Sequence, residues 1–84
     1  MYYTYILQSL KDSRTYVGYS SNIKTRFELH QMGRVQATKH RRPLKLLFYE
    51  IFETKQEAKK RELWWKSGVG RKKLAEYFIE NNTI

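Results

Sequence analysis

Residue types that constrain a fold covalently or rigidly are missing or scarce in this sequence. Cysteine is absent from the 84 residues, which excludes disulfides and thiolate zinc sites. Proline occurs once, and no run approaches the roughly 18–20 consecutive apolar residues that a membrane-spanning helix needs. The N-terminal residues enter strand-like sequence without the basic and apolar regions of a signal peptide. We therefore expect a soluble, cytoplasmic protein without a membrane partner.

Acidic residues are also scarce, because eight Asp and Glu stand against seventeen Lys and Arg. The net charge is +9, above the ~2–8 that is typical of a small soluble domain. Polyanions are the expected partners, with DNA first and RNA second. The alternatives are a basic surface that serves only solubility and a surface for anionic membranes or other acidic partners.

Large aromatic side chains compensate for the short chain. Seven Tyr, four Phe and two Trp give an aromatic fraction of 15%. Each ring buries about 150–250 Å², which matters because folding at this length buries only roughly 60–65% of the surface of the unfolded chain. We predict one domain, residues 1–84, that acts as a monomer.

Strand signals occur at three places. Period-2 alternation predicts strands at 2–8 and 15–19, joined as an antiparallel hairpin by a short polar turn. Tyr5 and Tyr16 are then near neighbours, although the pattern does not fix the register that would put them on one face. A nearly continuous apolar run at 44–52 predicts a third strand, buried on both faces and central in the sheet.

Three helices complete the predicted fold. Candidate N-caps and Gly33 bound the first at 22–33. A capping box starts the second at residue 55, and an amphipathic third runs from 71 to about 80, followed by a frayed tail at 81–84. The order ββαβαα predicts an α+β fold in which a small three-stranded antiparallel sheet is flanked by three helices.

Glu62 is an unusual residue for its position. It falls on the apolar stripe of the second helix with Ala58, Trp65 and Val69. A carboxylate there costs several kcal/mol of desolvation unless a cation lies beside it. One interpretation is an ion pair with Lys66, one turn on. The other is a functional carboxylate, since a single Glu suits Mg²⁺, which keeps several waters and also takes substrate phosphates.

Arg26 and His30 stand one turn apart in the first helix, within the same arc as Ile23 and Phe27. They form either a surface pair at the helix edge or a phosphate clamp in which the histidine relays a proton.

A basic loop follows this helix, and it is either solvated surface or a set of phosphate contacts. Its candidate nucleic-acid-binding residues are Lys39, Arg41 and Arg42. Trp64 and Trp65 are interpreted as packing residues rather than base-stacking platforms, with Trp64 partly exposed.

Taken in chain order, these candidates resemble the motifs of the GIY-YIG nuclease superfamily, most closely its small single-domain members related to the N-terminal nuclease domain of excinuclease ABC. The matching motifs cover nearly the whole chain, and they are Tyr-x-Tyr-Ile-Leu, Tyr-Val-Gly for Tyr-Ile-Gly, Arg-Phe-x-x-His, Arg-Pro-x-Lys-Leu and Glu-Ala-x-x-x-Glu. There are two departures. Tyr3-Thr4-Tyr5 stands for the first motif, and Leu74 stands where many members have Asn.

The resemblance implies a metal-dependent endonuclease that hydrolyses phosphodiester bonds in DNA, structure-directed or non-specific, with a role in DNA repair. Tyr16 would be the general base or water-orienting group, and Tyr5 would position water or phosphate. Arg26 would stabilise charge on the phosphoryl oxygens, His30 would assist a proton transfer, and Glu62 would hold one Mg²⁺ or Mn²⁺.

Two other hypotheses stay open. The missing Asn allows a catalytically weak or inactive nucleic-acid-binding module of the same fold. A protein-interaction domain with incidental charge is the third hypothesis.

Overall fold

Three strands and three helices follow one another in the predicted order ββαβαα. The computed structural model describes residues 1–82. The elements are β1 (Tyr2–Ser9), β2 (Thr15–Ser20), α1 (Ile23–Gln31), β3 (Leu44–Phe52), α2 (Lys55–Lys66) and α3 (Gly68–Asn82). The α+β class and the three-stranded antiparallel sheet with three flanking helices are as the sequence predicts.

The strand order is β2-β1-β3, so the prediction that residues 44–52 form the central strand is wrong. Four consecutive residues of β1, 4–7, are buried, because this strand is paired on both edges and covered on both faces. On β3, only Leu44 is buried, and Tyr49 and Ile51 are 47% and 53% exposed. Its apolar composition therefore belongs to a half-covered edge strand.

The register divides the core into two clusters. Tyr5 pairs with Gly18 and Leu7 with Tyr16, so these four residues share one face, which α1 covers through Ile23 and Phe27. We call it the α1 face.

The opposite face carries the other core cluster. Ile6 and Val17 pack there against Trp65 of α2 and Leu74 of α3. We call it the α2/α3 face.

The helices begin and end at recognisable signals. Asn22 caps α1 by accepting a hydrogen bond from the Thr25 backbone N–H at 3.1 Å. Gly33, with φ of 76°, follows the helix in the left-handed region. The capping box of Thr54 and Glu57 is present, which confirms the predicted start of α2.

A single residue, Ser67, separates α2 from α3. Its carbonyl accepts a hydrogen bond from the Arg71 N–H at 2.9 Å, and its hydroxyl from the Gly70 N–H at 3.4 Å. Because Ser67 caps the new helix, α3 begins at Gly68 rather than at residue 71. Any side chain on Gly70 would collide with the backbone of residues 64 and 65, so glycine permits the close approach of the two helices.

Two predictions near this junction need correction. Val69 belongs to α3 and is 60% exposed, so its place on the α2 stripe is wrong. Residues 81 and 82 are helical rather than frayed, and 83–84 lie outside the described residues.

Glu50 ties β3 to α2 from the α2/α3 face. Its carboxylate accepts two hydrogen bonds from Arg61, at 2.9 and 3.1 Å, and a third from Trp65 Nε1 at 2.8 Å. This is a charge-assisted bidentate pair with an additional donor. Within the described chain, no helix combines the length and hydropathy needed to cross a membrane.

Candidate active site

The phenol of Tyr5 lies over Gly18 of the edge strand β2. Tyr5 is 2% exposed and pairs directly with Gly18 across the ladder. A Cβ atom at position 18 would stand 2.5 Å from the Tyr5 hydroxyl oxygen and 3.0 Å from a ring carbon of Tyr16. Glycine is therefore the residue that leaves room for the Tyr5 ring between the two strands.

A buried hydrogen-bond chain fixes this phenol. The Tyr5 hydroxyl lies 2.9 Å from His30 Nε2, and His30 Nδ1 lies 2.7 Å from Thr38 Oγ1. His30 and Thr38 are both 0% exposed. Arg26 can only donate to the Tyr5 oxygen, so we assign the Tyr5 proton to His30 Nε2 and the imidazole proton to Nδ1, which donates to Thr38.

Burial keeps both titratable members of this chain neutral. It lowers the pKa of His30 to about 4, and the nearby Arg26 charge lowers it further in the same direction. Burial raises the pKa of Tyr5 to about 12, although hydrogen bonding from Arg26 opposes that rise. At neutral pH, Tyr5 is therefore a hydrogen-bond donor rather than a base.

His30 does not reach solvent. Its two ring nitrogens are both engaged within the protein, and the ring has no exposed surface. It can therefore act on a substrate only through Tyr5, and its predicted part in a proton transfer stays a prediction.

Arg26 joins the two tyrosines at the edge of the α1 face. Its guanidinium hydrogen-bonds with Tyr5, which is the main reason why the pKa of Arg26 is raised, and it also interacts with Tyr16. The half-buried Tyr16 ring lies 5.1 Å from the His30 ring and 6.4 Å from the Tyr5 ring, between centroids. The structure thus brings Tyr5, Tyr16, Arg26 and His30 together.

Glu62 approaches this group from the other side of the sheet. It belongs to α2, which packs on the α2/α3 face. Besides burial, which is the largest cause, the charge of Glu62 contributes to the raised pKa of Tyr5, so its carboxylate is within electrostatic reach. The ion pair with Lys66 is present as well, at 3.5 Å, with the Glu62 side chain 15% exposed.

The metal ligands that the protein offers near the site suit a hard, hydrated divalent ion. Within residues 1–82, no cluster of three His, Cys, Asp or Glu side chains is arranged to enclose a metal. A single carboxylate such as Glu62 fits Mg²⁺ or Mn²⁺ only if water and substrate phosphate supply the remaining ligands. A resident zinc or calcium site would need more protein donors.

The predicted phosphate-binding loop is partly occupied by internal contacts. Arg42 donates to the carbonyls of Lys39 and Gln31, at 3.1 and 3.4 Å. Arg41 lies 3.7 Å from Asp12 and contacts the Thr15 carbonyl at 3.5 Å. The Lys39 residue is exposed. Phosphate binding by these three side chains stays a prediction.

The two tryptophans pack as expected. Trp65 is 8% exposed in the core of the α2/α3 face. Trp64 is half-buried, and the Arg61 guanidinium stacks 4.0 Å from its ring centroid.

Thr38 is the site residue that sequence reasoning missed. It lies in a stretch interpreted as solvated loop, yet Thr38 and Val35 are buried. The isolated Val35 is the one available signal that this loop folds back on the domain. A hydroxyl partner for His30 has no signature in the pattern of residues.

Comparisons with known proteins identify the family and a related fold. The sequence profile described as the GIY-YIG catalytic domain matches residues 1–75. The chain is similar to a UPF0213 protein of Staphylococcus saprophyticus, with 42% identity over 87% of this chain and 89% of that protein. It is also similar to a UPF0213 protein of Clostridium perfringens, with 39% identity over 88% of this chain and 80% of the relative. The solution NMR structure of a UPF0213 protein from Bacillus halodurans superposes with a TM-score of 0.56 at 30% identity, over 99% of this chain and 89% of that one.

Proposed function

The chain belongs to the family of GIY-YIG catalytic domains, a nuclease family, and from this membership we propose that it is a metal-dependent endonuclease that hydrolyses phosphodiester bonds in DNA. The observation that carries the proposal is the meeting of Tyr5, Tyr16 and Arg26 beside Gly18, within electrostatic reach of Glu62. Cleavage is directed by nucleic-acid structure or is non-specific, because the residues near the site offer charge and hydroxyl groups rather than a base-reading element.

Each side chain has a distinct task in the proposed reaction. Water attacks phosphorus and gives a proton to the general base, the bond to the leaving oxygen breaks, and that oxygen takes up a proton from solvent. Tyr16 orients the attacking water and is the candidate general base, and the Arg26 cation beside it stabilises negative charge on the phosphoryl oxygens. Tyr5, which is neutral and donates its single proton to His30, positions the attacking water by accepting a hydrogen bond at its oxygen.

Glu62 is the residue that would hold Mg²⁺ or Mn²⁺. Such an ion supplies positive charge that stabilises the leaving oxygen. Binding it means exchanging the Lys66 ion pair for the metal. A substrate phosphate nearby favours that exchange, because it adds oxygen ligands for the ion and a new partner for the lysine.

The test is a cleavage panel with branched, nicked, single-stranded and duplex DNA, with Mg²⁺ or Mn²⁺ and with EDTA. Wild type is expected to cut at least one substrate when metal is present, and Glu62→Ala is expected to lose about 10³-fold in rate. Glu53→Ala is the matched control, because it removes an exposed carboxylate just before α2. Equal rates for wild type and Glu62→Ala, or no cleavage by wild type, would refute the catalytic proposal.

A second candidate function rests on Leu74. Many family members have Asn at this place, whereas here Leu74 is 7% exposed and part of the apolar core. A group that many relatives use is therefore replaced by packing, which favours a nucleic-acid-binding module with weak or no catalysis. Binding that falls steeply with salt but does not respond to metal or to Tyr16→Phe would support this alternative.

A further inference from the structure

The outer side of β2 is bordered by two open grooves that run into one another. The smaller, about 320 Å³, is lined by Tyr16 of the candidate site together with Lys66. The larger, about 700 Å³, extends to Arg14 and Arg41 at the β1–β2 turn. Thr15, Arg71 and Leu74 line both, so the two grooves adjoin and together form one surface. We call it the β2 groove.

The β2 groove is strongly cationic. Lys66, Arg71, Arg14 and Arg41 line it, and none of the described residues that line it is acidic. Arg14 and Arg71 are exposed, and their side chains make no hydrogen bond or ion pair with the described residues. These two guanidinium groups are therefore available to a ligand.

Arg41 adds an unsatisfied donor to the wall. Its Nε atom is buried and donates no hydrogen bond within the described residues. The Asp12 carboxylate oxygen is 3.7 Å away, beyond hydrogen-bonding distance. A buried donor without an acceptor is unfavourable. The weak contact of the same guanidinium with the Thr15 carbonyl, at 3.5 Å, holds the side chain at the groove.

We infer that the β2 groove binds the sugar-phosphate backbone of the nucleic-acid strand that leads away from the scissile phosphate at Tyr16 and Arg26. Arginine forks match phosphate oxygens and discriminate poorly between bases. Leu74, Ala75 and Phe78 give the groove an apolar side against which sugars pack. The inference rests on the proposed function, since it takes Tyr16 as the place of the reacting phosphate.

The assignment also accounts for two arginines that sequence reasoning does not select. Arg14 directly precedes the second predicted strand, and Arg71 opens the predicted third helix. Only the fold places them beside Arg41, on the same side of β2 as Tyr16.

The experiment measures binding without catalysis. Wild type and the double variant Arg14→Gln/Arg71→Gln are titrated against a fluorescent DNA oligonucleotide in EDTA over a series of salt concentrations. Each lost phosphate contact is expected to lower the slope of log K against log salt by about 0.7–0.9, so the double variant should lose about 1.4–1.8. Its Kd at low salt should rise about tenfold or more.

The charge-matched control is Lys59→Gln/Lys60→Gln, which removes two exposed lysines of α2 outside the β2 groove. It is expected to change the slope far less. Thermal unfolding checks that both variants fold. Should the double variant be destabilised, each single variant tests the same claim with a slope change of about 0.7–0.9. Equal losses in the groove variant and the control would overturn the inference.

Failure of the inference and failure of the proposed function give different results. If wild type cuts DNA but the groove variant binds like the control, the groove assignment is wrong and the nuclease proposal stands. If wild type cuts nothing but the groove variant loses binding, the nuclease proposal fails, and the groove stands as a nucleic-acid-binding surface.

Discussion

The two faces of the sheet use polar groups in different ways. On the α2/α3 face, the partly exposed Glu50 accepts three hydrogen bonds that join β3 to α2. On the α1 face, the buried hydrogen-bond chain from Thr38 through His30 ends at Tyr5, whose oxygen lies beside Arg26. The first set of contacts joins two elements of the fold, whereas the second ends beside a partly exposed arginine.

Two carboxylates show the same difference. Glu50 has a bidentate arginine and an indole donor. Glu62, twelve residues later and 15% exposed, has one lysine at 3.5 Å. A carboxylate whose two oxygens are both hydrogen-bonded stabilises a fold, and one with a free oxygen remains able to bind a ligand. The comparison therefore separates a structural carboxylate, Glu50, from Glu62, which is free to take the proposed role.

The sharpest way to break the comparison is Gly18→Ala. The added methyl group would overlap the Tyr5 hydroxyl, and displacing that phenol by about 1 Å should lower the cleavage rate about 10²–10³-fold. Gly68→Ala is the matched control, because a Cβ there meets no atom within 4 Å. Cleavage by Gly18→Ala at the wild-type rate would show that the position of Tyr5 is irrelevant.

The pH dependence of unfolding tests the burial of His30. Its pKa falls from 6.5 to about 4 on folding, so the unfolded state binds more protons between these values. The stabilising contribution of neutral His30 is therefore complete above pH 6.5. The free energy of unfolding decreases by about 3 kcal/mol as the pH falls to 4. Urea unfolding at several pH values measures it. His30→Gln should lose this part of the slope, whereas His40→Gln, at an exposed position, should keep it.

Removing the charge of Glu50 should affect stability and spare catalysis. Glu50→Gln weakens three charge-assisted contacts, and we expect it to lower the free energy of unfolding by about 1–2 kcal/mol. The cleavage rate should remain within about twofold of wild type, since Glu50 does not contact the candidate site. Chemical denaturation and the cleavage panel, with Glu53→Gln as control, measure the two effects. A large loss of rate in a folded Glu50→Gln protein would contradict the division between the faces.

Two buried threonines give the smallest and most direct comparison, one from each face. Thr38 bonds His30 at 2.7 Å, and Thr4 donates to the Ala58 carbonyl at 2.7 Å. Replacing either by Val leaves a buried partner unsatisfied and should cost about 1–2 kcal/mol of stability. Only Thr38→Val should also slow cleavage, by about threefold to tenfold, because His30 then no longer holds Tyr5 in one orientation. Equal cleavage rates in the two variants would show that the hydrogen bond from His30 to Thr38 has no influence on the site.

Local signals account for the parts of the fold that are predicted correctly. Period-2 alternation predicts β1 and β2, and the Thr54 capping box predicts the start of α2, because each depends on residues within a few positions. The order of strands depends on which of two apolar runs is paired on both edges. Residues 2–8 and 44–52 have similar compositions, so the pattern favours the longer run, whereas the central strand is β1.

The candidate site also has features that local spacing predicts and features that depend on distant contacts. Spacing on α1 identifies Arg26 and His30 as residues directed at the sheet, and the structure brings them to the tyrosines. Burial cannot be read from spacing, so the sequence does not reveal that His30 is enclosed and that its pKa is lowered to about 4. Thr38 and the β2 groove depend on contacts between distant parts of the chain, which one sequence does not specify.

The place of Ser67 has a consequence for how the site is assembled during synthesis. The residues of the Tyr5 chain, together with Tyr16 and Arg26, all precede β3, with sequence separations of 25 and 8 residues between the bonded partners. Glu62 and the cations Lys66 and Arg71 come later, on the two helices that Ser67 joins. The tyrosine pocket also packs against Leu44 and Leu46 of β3, so it is not independent of the later elements. Glu62 and two of the groove cations are the last of these residues to be synthesised, and the complete set exists only when α2 and α3 are present.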